Sequence, residues 1–254
     1  MSSAFDAVAS NFERFRALPA GVPDAIRSAI WAAVQVPPRA RVLDLGAGTG
    51  RFGKAFIAAG DYYTGVDMSL AMLREFQSSS HDAFLVQADG RQLPFRDGVF
   101  DVVLLMHVLS SSTDWHPMLE EVRRVCHSGG VVVVGRTESP ESGINAQLKH
   151  RLRSILEGMG VSWHRSQGVH REALGHLESF TTRRIHAQAA FWSISATAQD
   201  FFLRHRSGVH FAALPIAVQE EALQKLKTWV EQAFGSMDRG FDEQRSFELD
   251  IFEL

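Results

Sequence analysis

Three aspartates and three glycines stand where this chain could grip a nucleotide. In "VLDLGAGTG", residues 42–50, Asp44 interrupts an apolar run, and Gly46, Gly48 and Gly50 follow at every second position. Glycine lets the chain turn sharply with no Cβ in the way. Loop amides and the N-terminus of a following helix favour a negative group. Asp67 ends the next apolar run. A carboxylate there can accept two bonds from a ribose diol, and such charge-assisted bonds are each worth roughly 1.5–3 kcal/mol. Asp89 ends the run after that, where it can take a bond from an exocyclic amine. An anionic end, a ribose and an amino-purine describe either a dinucleotide or S-adenosylmethionine. The dinucleotide fingerprint G-x-G-x-x-G needs its third glycine at position 51. Arg51 stands there, and the glycines run G-x-G-x-G instead.

Four stretches then occur in order over about residues 40–136: "VLDLGAGTGRF", "YYTGVDMSLAML", "FLVQADGRQLPFRDGVFDVVLLM" and "LEEVRRVCHSGGVVVVG". Together they resemble the ordered motifs of the class I S-adenosylmethionine-dependent methyltransferases, particularly the type 11 group of small-molecule enzymes. The resemblance implies S-adenosyl-L-methionine as cofactor and a small-molecule methyl acceptor. It puts Asp44 and Gly46 near the methionine end of the cofactor, with Ala47, Gly48 and Gly50 completing the loop. Asp44 is then expected to receive bonds from the cofactor's ammonium, directly or through water. Asp67 is expected to hold the ribose hydroxyls, and Met68 to pack on the adenine. Asp89, with Ala88 or Gly90 beside it, is expected to read the adenine edge. Met106 and His107 fall nearest the sulfonium. The family often closes its site with an N-terminal aromatic–x–x–x–Arg element. "FERFR", with Phe12, Phe15 and Arg16, is similar, with phenylalanines where tyrosine is common.

A methyl sulfonium is intrinsically electrophilic, so the protein must hold a nucleophile in line with the C–S bond, within roughly 3–3.5 Å, and exclude water. An oxygen nucleophile usually needs its proton removed, and histidine is the natural base near neutral pH. His107 is the first candidate by position and His116 the second. His164, His170, His186 and His210 lie in the later part of the chain and are further candidates. The segment "HVLSSSTDW" carries three serines where the family often has an apolar–Pro–Asp turn. The Asn/Asp-Pro-Pro-aromatic motif of enzymes that methylate amino groups on bases is replaced by "LLMHVL". Cys126 follows Val125 rather than the proline of a cytosine C5 nucleophile, and reads as a packed small residue. Three basic clusters, "KHRLR" (149–153), "TRR" (182–184) and "RHR" (204–206), are candidates to grip an anionic substrate. A solvated helix face is the simpler reading of each. Trp163, Phe191, Trp192, Phe201 and Phe202 are candidates for an apolar substrate pocket, with core packing as the simpler reading. No spacing typical of metal ligands occurs, so no metal is expected.

These residues need a scaffold that brings strand ends together. Phe5, Phe12, Phe15 and Leu18 recur at near-helical spacing, and residues 5–34 read as helices with a break near Pro19–Pro23. Pro37 and Pro38 turn the chain into the first strand, Arg41–Leu45. "RFGKAFIAAG" reads as a helix closing at Gly60, and "YYTGV" as the second strand. Ser69 is placed to cap the helix "LAMLREF". "AFLVQ" and "VFDVVLLM" read as strands three and four. Asp114 is placed to cap the helix "WHPMLEEVRRVC", with Pro117 in its first turn. "HSGG" reads as a turn into the fifth strand, "VVVVG". Strands 102–106 and 131–134 are apolar throughout, as expected of strands buried on both faces. Beyond Gly143, residues 144–158, 170–179, 197–206 and 215–234 read as helical, and "RRIHAQAAFWSIS" as a strand. "SFELDIFEL" alternates as a strand with one wet face.

The expectation is an α/β fold: a Rossmann-like, doubly wound, seven-stranded sheet with an N-terminal helical lid (1–36), a cofactor-binding core (37–140), and helical cap segments with the last two strands (141–254). The chain has 254 residues, 45% of them hydrophobic, enough for a substantial core. A net charge near −3 gives no overall pull toward nucleic acid or acidic membranes. No apolar run approaches the roughly 20 residues of a membrane span, and the N-terminus lacks a secretory pattern. One cysteine suits a reducing cytoplasm. Oligomeric state has no signature here. Two readings from other classes stand beside the methyltransferase: a nicotinamide-dependent oxidoreductase, and a non-catalytic S-adenosylmethionine-binding protein.

Overall fold

The computed structural model describes residues 16–36, 39–109, 114–161, 166–206 and 209–254, with the backbone alone for Ser166, Gln167, Val209 and His210. Phe5, Phe12, Phe15, the Pro37–Pro38 pair, Ser110, Ser111, Ser112, Trp163 and His164 lie outside the described residues, and so does most of the expected lid. The first described helix is α1 (Val22–Ala33), which starts after Gly21 with Pro23 in its first turn. The break expected near Pro19–Pro23 is therefore a helix start, where a proline's missing N–H costs nothing.

The chain then alternates: β1 (Arg41–Leu45), α2 (Gly53–Ala58), β2 (Tyr62–Asp67), α3 (Leu70–Ser79), β3 (Phe84–Gln87), β4 (Phe100–Met106), α4 (Trp115–Val125) and β5 (Cys126–Glu138). After these come α5 (Ile144–Gly158), α6 (Ser166–Glu178), β6 (Arg183–Ala196), α7 (Ala198–Arg206), α8 (Val209–Ala212), α9 (Ile216–Phe234) and β7 (Phe241–Glu253). The strands form one seven-stranded sheet in the order β3-β2-β1-β4-β5-β7-β6. The β1–β5 pairings are parallel, and β7 runs antiparallel to both β5 and β6. Strand order reverses between β1 and β4, which opens the crevice where α/β sheets bind ligands.

Alternation along the strands divides the core. Leu43, Leu45, Val103, Leu105, Val132 and Val134 face α4 and α6. Val42, Leu104, Val131 and Val133 face Ile26, Ile30, Phe56 and Phe76 on the other side. Both faces are covered, which is why these strands are apolar at nearly every position. A third cluster holds the cap. Ile144, Leu148, Leu152 and Leu156 recur every fourth residue on α5 and pack against Phe201, Phe202, Phe211, Leu226 and Val230.

Strands β6 and β7 are longer than the rest. Ser246–Glu253 pairs with β5, whereas Phe241–Arg245 pairs only with β6. Because β7 is antiparallel, this two-stranded ribbon rises past the carboxyl ends of β1–β5 and carries the cap there.

Three local expectations are corrected. "HSGG" is not a turn: β5 begins at Cys126, and the segment is absorbed as an irregularity where pairing jumps from Phe100↔Cys126 to Val102↔Val131. Asp114 makes no capping bond to α4. Its carboxylate lies 3.5 Å from the Arg91 guanidinium, which competes for it. The polar face of β7 is not wet: Glu248 and Asp250 are buried. Asp250 is held by Arg136 at 2.6 Å, Arg184 at 2.8 Å and His186 at 3.2 Å. Paired charges of this kind tolerate burial where lone ones do not. The cap on α3 stands as expected, with Ser69 Oγ accepting from Met72 N at 3.2 Å, and Gly60 lies just past α2 with φ 79°.

Candidate active site

The glycine bend spends its amides on β2. Gly46 N and Ala47 N both donate to Val66 O, at 2.7 and 2.9 Å. Gly48 N donates to Asp67 Oδ2 at 2.9 Å. Gly46 adopts φ 82°, and a Cβ there would lie 2.6 Å from Val108 Cγ2, in the segment after β4. The ends of β1 and β4 thus touch at the crevice, and only glycine fits between them. The helix that follows, α2, has six residues and starts three positions beyond Gly50. The bend itself, rather than a helix N-terminus, is what faces the crevice.

Asp44 is the residue before the last of β1. It pairs with Gly65 and Leu104 inside the sheet and is 1% exposed. Tyr63, a buried residue of β2, donates its hydroxyl to Asp44 Oδ2 at 2.7 Å. Asp44 Oδ1 is buried with no hydrogen-bond partner among the described residues. Burial pushes the Asp44 carboxyl up to about 7, against the opposing Tyr63 bond. A buried carboxylate oxygen without a donor is costly, so this atom suits an incoming cation or N–H group.

Asp67 caps β2 with both oxygens engaged: Oδ1 accepts from Ser69 N at 2.8 Å and Oδ2 from Gly48 N. Met68 beside it is 50% exposed, unusual for so apolar a side chain. Ala88 N donates to Asp67 O, which joins the β2 and β3 ends. Gly90 lies under Leu45 and Met118. Asp89 is clasped by Arg91, whose Nη2 lies 2.7 Å from Oδ2, and this bond holds its carboxyl below the usual range. The expected exocyclic-amine contact would share Asp89 with that arginine.

Beyond β4, Met106 points its sulfur over Gly135 in the core. His107 takes φ 61°, a left-handed conformation uncommon for a side-chain-bearing residue and concentrated at functional sites. Its N–H bonds Gly135 O at 2.9 Å, and its Nε2 lies 3.2 Å from Thr137 Oγ1. The ring packs between Phe52 and Phe247. Burial, then Arg51, Arg16 and Lys149, holds its pKa well below the ordinary histidine range, so the ring is neutral. Arg51 donates Nη1 to Arg16 O at 2.7 Å and lies over the Phe52 ring. Arg16 in turn donates Nη2 to Arg204 O at 3.2 Å, reaching into the cap.

Other candidates lie elsewhere. His116 stacks on Trp115 beside His176. His186 belongs to the Asp250 network, and His170 lies near the same charges. Phe201 and Phe202 are cap core, Trp192 packs against the sheet core, and Phe191 is exposed. Cys126 is buried, its thiol pushed up to about 12 by burial. No group of three metal-ligating side chains occurs among the described residues, and no described helix is long and apolar enough to cross a membrane. A groove of about 780 Å³ between α7 and α9 is lined by Phe202 and Arg206 and by none of the expected cofactor residues.

Sequence reasoning missed Tyr63 and Arg51 as site residues, and offered Lys149 only as one member of the 149–153 basic cluster. Arg51 had a signal, since it follows the glycine bend directly. Tyr63 is brought in by strand register, which no local pattern displays.

The fold and the crevice define a doubly wound α/β protein whose ligand crevice opens beyond the ends of β1 and β4. The description of one protein family, "Methyltransferase domain", matches residues 43–134. A demethylmenaquinone methyltransferase of Streptomyces griseus is 34% identical over 141 residues, 55% of this chain and 61% of that protein. One from Mycolicibacterium gilvum is 32% identical over 164 residues, 64% of this chain and 71% of the relative. The YcgJ protein of Bacillus subtilis has a similar fold, with a TM-score of 0.57 at 18% identity, over 90% of this chain and 97% of that one. The chain belongs to the class I S-adenosylmethionine-dependent methyltransferase family. It matches about 60% of the length of the first two curated relatives. The residues present fit the family's cofactor. The buried Asp44 oxygen lacks a donor, the bend admits no Cβ at Gly46, and Met68 offers an uncovered apolar flank beside Asp67.

Proposed function

We propose that this chain transfers the methyl group of S-adenosylmethionine to a small-molecule acceptor seated between the ends of β1 and β4 and the cap. The observation that carries this reading is the donor-less Asp44 oxygen beneath the glycine bend. When bound, S-adenosylmethionine supplies an electrophilic methyl on its sulfonium. The chain's part is to bind, orient and exclude water. Asp44 accepts from the ammonium, and Gly46, Ala47, Gly48 and Gly50 leave room for the amino-acid end. Asp67 accepts from the ribose hydroxyls, Met68 covers the adenine, and Ala88, Asp89 and Gly90 frame the purine edge. His107 forms the acceptor-side wall with Met106 packed in the core beside it, and Arg16 closes it. His107 is neutral and surrounded by cations. In this reading it accepts a hydrogen bond from the acceptor and orients it, since a base with so depressed a pKa drives little proton removal.

The family match ends at residue 134, before the cap. The acceptor therefore does not carry over from relatives, although demethylmenaquinone is one compound to assay. A small acceptor rather than nucleic acid is supported by the net charge of −3, and a reducing cytoplasm by the single, buried cysteine. Against a nicotinamide enzyme stands Arg51, which replaces the third glycine and bonds Arg16 O.

Calorimetry with S-adenosylhomocysteine and NAD, together with a labelled-methyl assay, tests the proposal. The expected result is binding of the nucleoside alone, weakened roughly ten- to hundredfold in Asp67→Ala. NAD binding would favour an oxidoreductase. Nucleoside binding without transfer to any acceptor would leave a non-catalytic binder. No nucleoside binding would end the reading.

A further inference from the structure

A line of cations runs from the end of β4 into the cap. Arg51 lies over Phe52, which packs on His107. Arg51 bonds Arg16 O, and Arg16 bonds Arg204 O. Arg204 donates Nη2 to Asn145 Oδ1, and Lys149 lies one turn beyond Asn145 on α5. Two sequence-distant basic clusters, one on α5 and one on α7, are thereby joined at the acceptor side of the crevice. The third goes elsewhere, with Arg184 bound to Asp250 and Glu178.

Lys149 is the informative member. The neighbouring ions have partners: Arg245 pairs with Glu243 at 3.3 Å, and Glu243 also receives both the N–H and the side-chain amide of Asn145. Glu138 pairs with Arg136. Lys149 is solvent-accessible, yet it makes no hydrogen bond or ion pair among the described residues. Dense surroundings, then Arg204, disfavour its charge, with Arg245 and Arg16 adding to this and Glu138 opposing. His107 feels Lys149, Arg51 and Arg16 together, so all three cations lie near it. An ammonium left without an anion among like charges is unfavourable until an anion arrives.

We propose that the methyl acceptor carries an anionic oxygen group, a carboxylate or a phosphate, and that Lys149 with Arg204 binds it and sets the acceptor over His107. The proposal rests on the methyltransferase reading above and names the substrate class of that site. Guanidinium and ammonium donors suit such oxygens, the first by its fork and the second as a point charge. An acceptor anchored this way is held by its charged end, which leaves a nucleophile several bonds away free to face the sulfonium.

The test uses the full chain saturated with S-adenosylhomocysteine. Inorganic phosphate, malonate and, as a cationic control, ethanolamine are titrated at constant ionic strength and followed by calorimetry. Phosphate or malonate is expected to bind and ethanolamine not to. The tighter anion identifies the group. Lys149→Gln should weaken the anion at least tenfold, Lys149→Arg should restore most of it, and both should bind S-adenosylhomocysteine within twofold of wild type. Equal anion binding in wild type and Lys149→Gln, or no binding of either anion, would overturn the proposal while the cofactor reading stood. Failure of S-adenosylhomocysteine itself to bind would instead overturn the cofactor reading.

Discussion

Asp44 and His107 differ most from their residue types. Both are shifted toward the uncharged form, Asp44 by burial and His107 by burial together with Arg51, Arg16 and Lys149. For Asp44 the folded pKa of about 7 lies above the unfolded value. The folded chain therefore holds a proton that the unfolded chain releases, and this residue's contribution to stability declines as pH rises toward 7. A bound ammonium reverses the preference, because it needs the carboxylate. Affinity for S-adenosylhomocysteine should thus climb by up to about tenfold per pH unit below 7 and flatten above it. In Asp44→Asn that slope should vanish. A calorimetric series from acid to alkaline pH decides it, and a flat wild-type profile would remove Asp44 from the ammonium site.

At the scale of elements, the bend between β1 and α2 works because three contacts fix it: the Val66 carbonyl, the Asp67 carboxylate and the Phe76 ring. Gly50 has φ 83°, and a Cβ there would lie 2.3 Å from the Phe76 ring. Gly50→Ala combines left-handed strain with overpacking, so a loss of roughly 1–3 kcal/mol or more is expected in denaturant titration. Gly175 is the control. It lies in the interior of α6, and a Cβ added there would meet nothing within 4 Å. Gly175→Ala should stabilise by about 0.5–1 kcal/mol, since it removes unfolded-state freedom without a clash. Equal effects from the two variants would mean that the packing at Gly50 is not what holds the bend.

For the whole molecule, the junction of β7 with β5 and β6 holds a charged network among its apolar side chains. Asp250, fully buried on β7, ties β5 through Arg136 and β6 through Arg184 and His186. Burial alone would raise its carboxyl, but bonds from Arg184, Arg136 and His186 outweigh it and leave the pKa lowered. The sign is opposite to that of Asp44. Stability from Asp250 is complete above the unfolded value near 4 and is lost as pH falls through the lower folded one. Thermal unfolding should therefore drop steeply below about pH 4. At neutral pH, Asp250→Ala should cost about 3–5 kcal/mol, because two arginines lose their buried partner. An unchanged melting temperature in that variant would show that the network adds nothing to the junction.

The sequence by itself determined the core: strand positions, the glycine bend, the Ser69 cap, and the acids after β2 and β3. Those are local patterns, written in periodicity and in residues with special backbone needs, and the family motifs sit on them. The tertiary structure alone decided what the patterns face. Asp44 is a buried acid bonded to Tyr63 because register sets β1 beside β2. Asp250 lies in a dry face because Arg136 and Arg184 converge on it from different strands. Lys149 and Arg204, 55 residues apart, come near enough to feel each other's charge because α5 and α7 share one apolar cluster. Long-range charge pairing leaves no trace in spacing, since its partners are chosen by packing after the chain has folded.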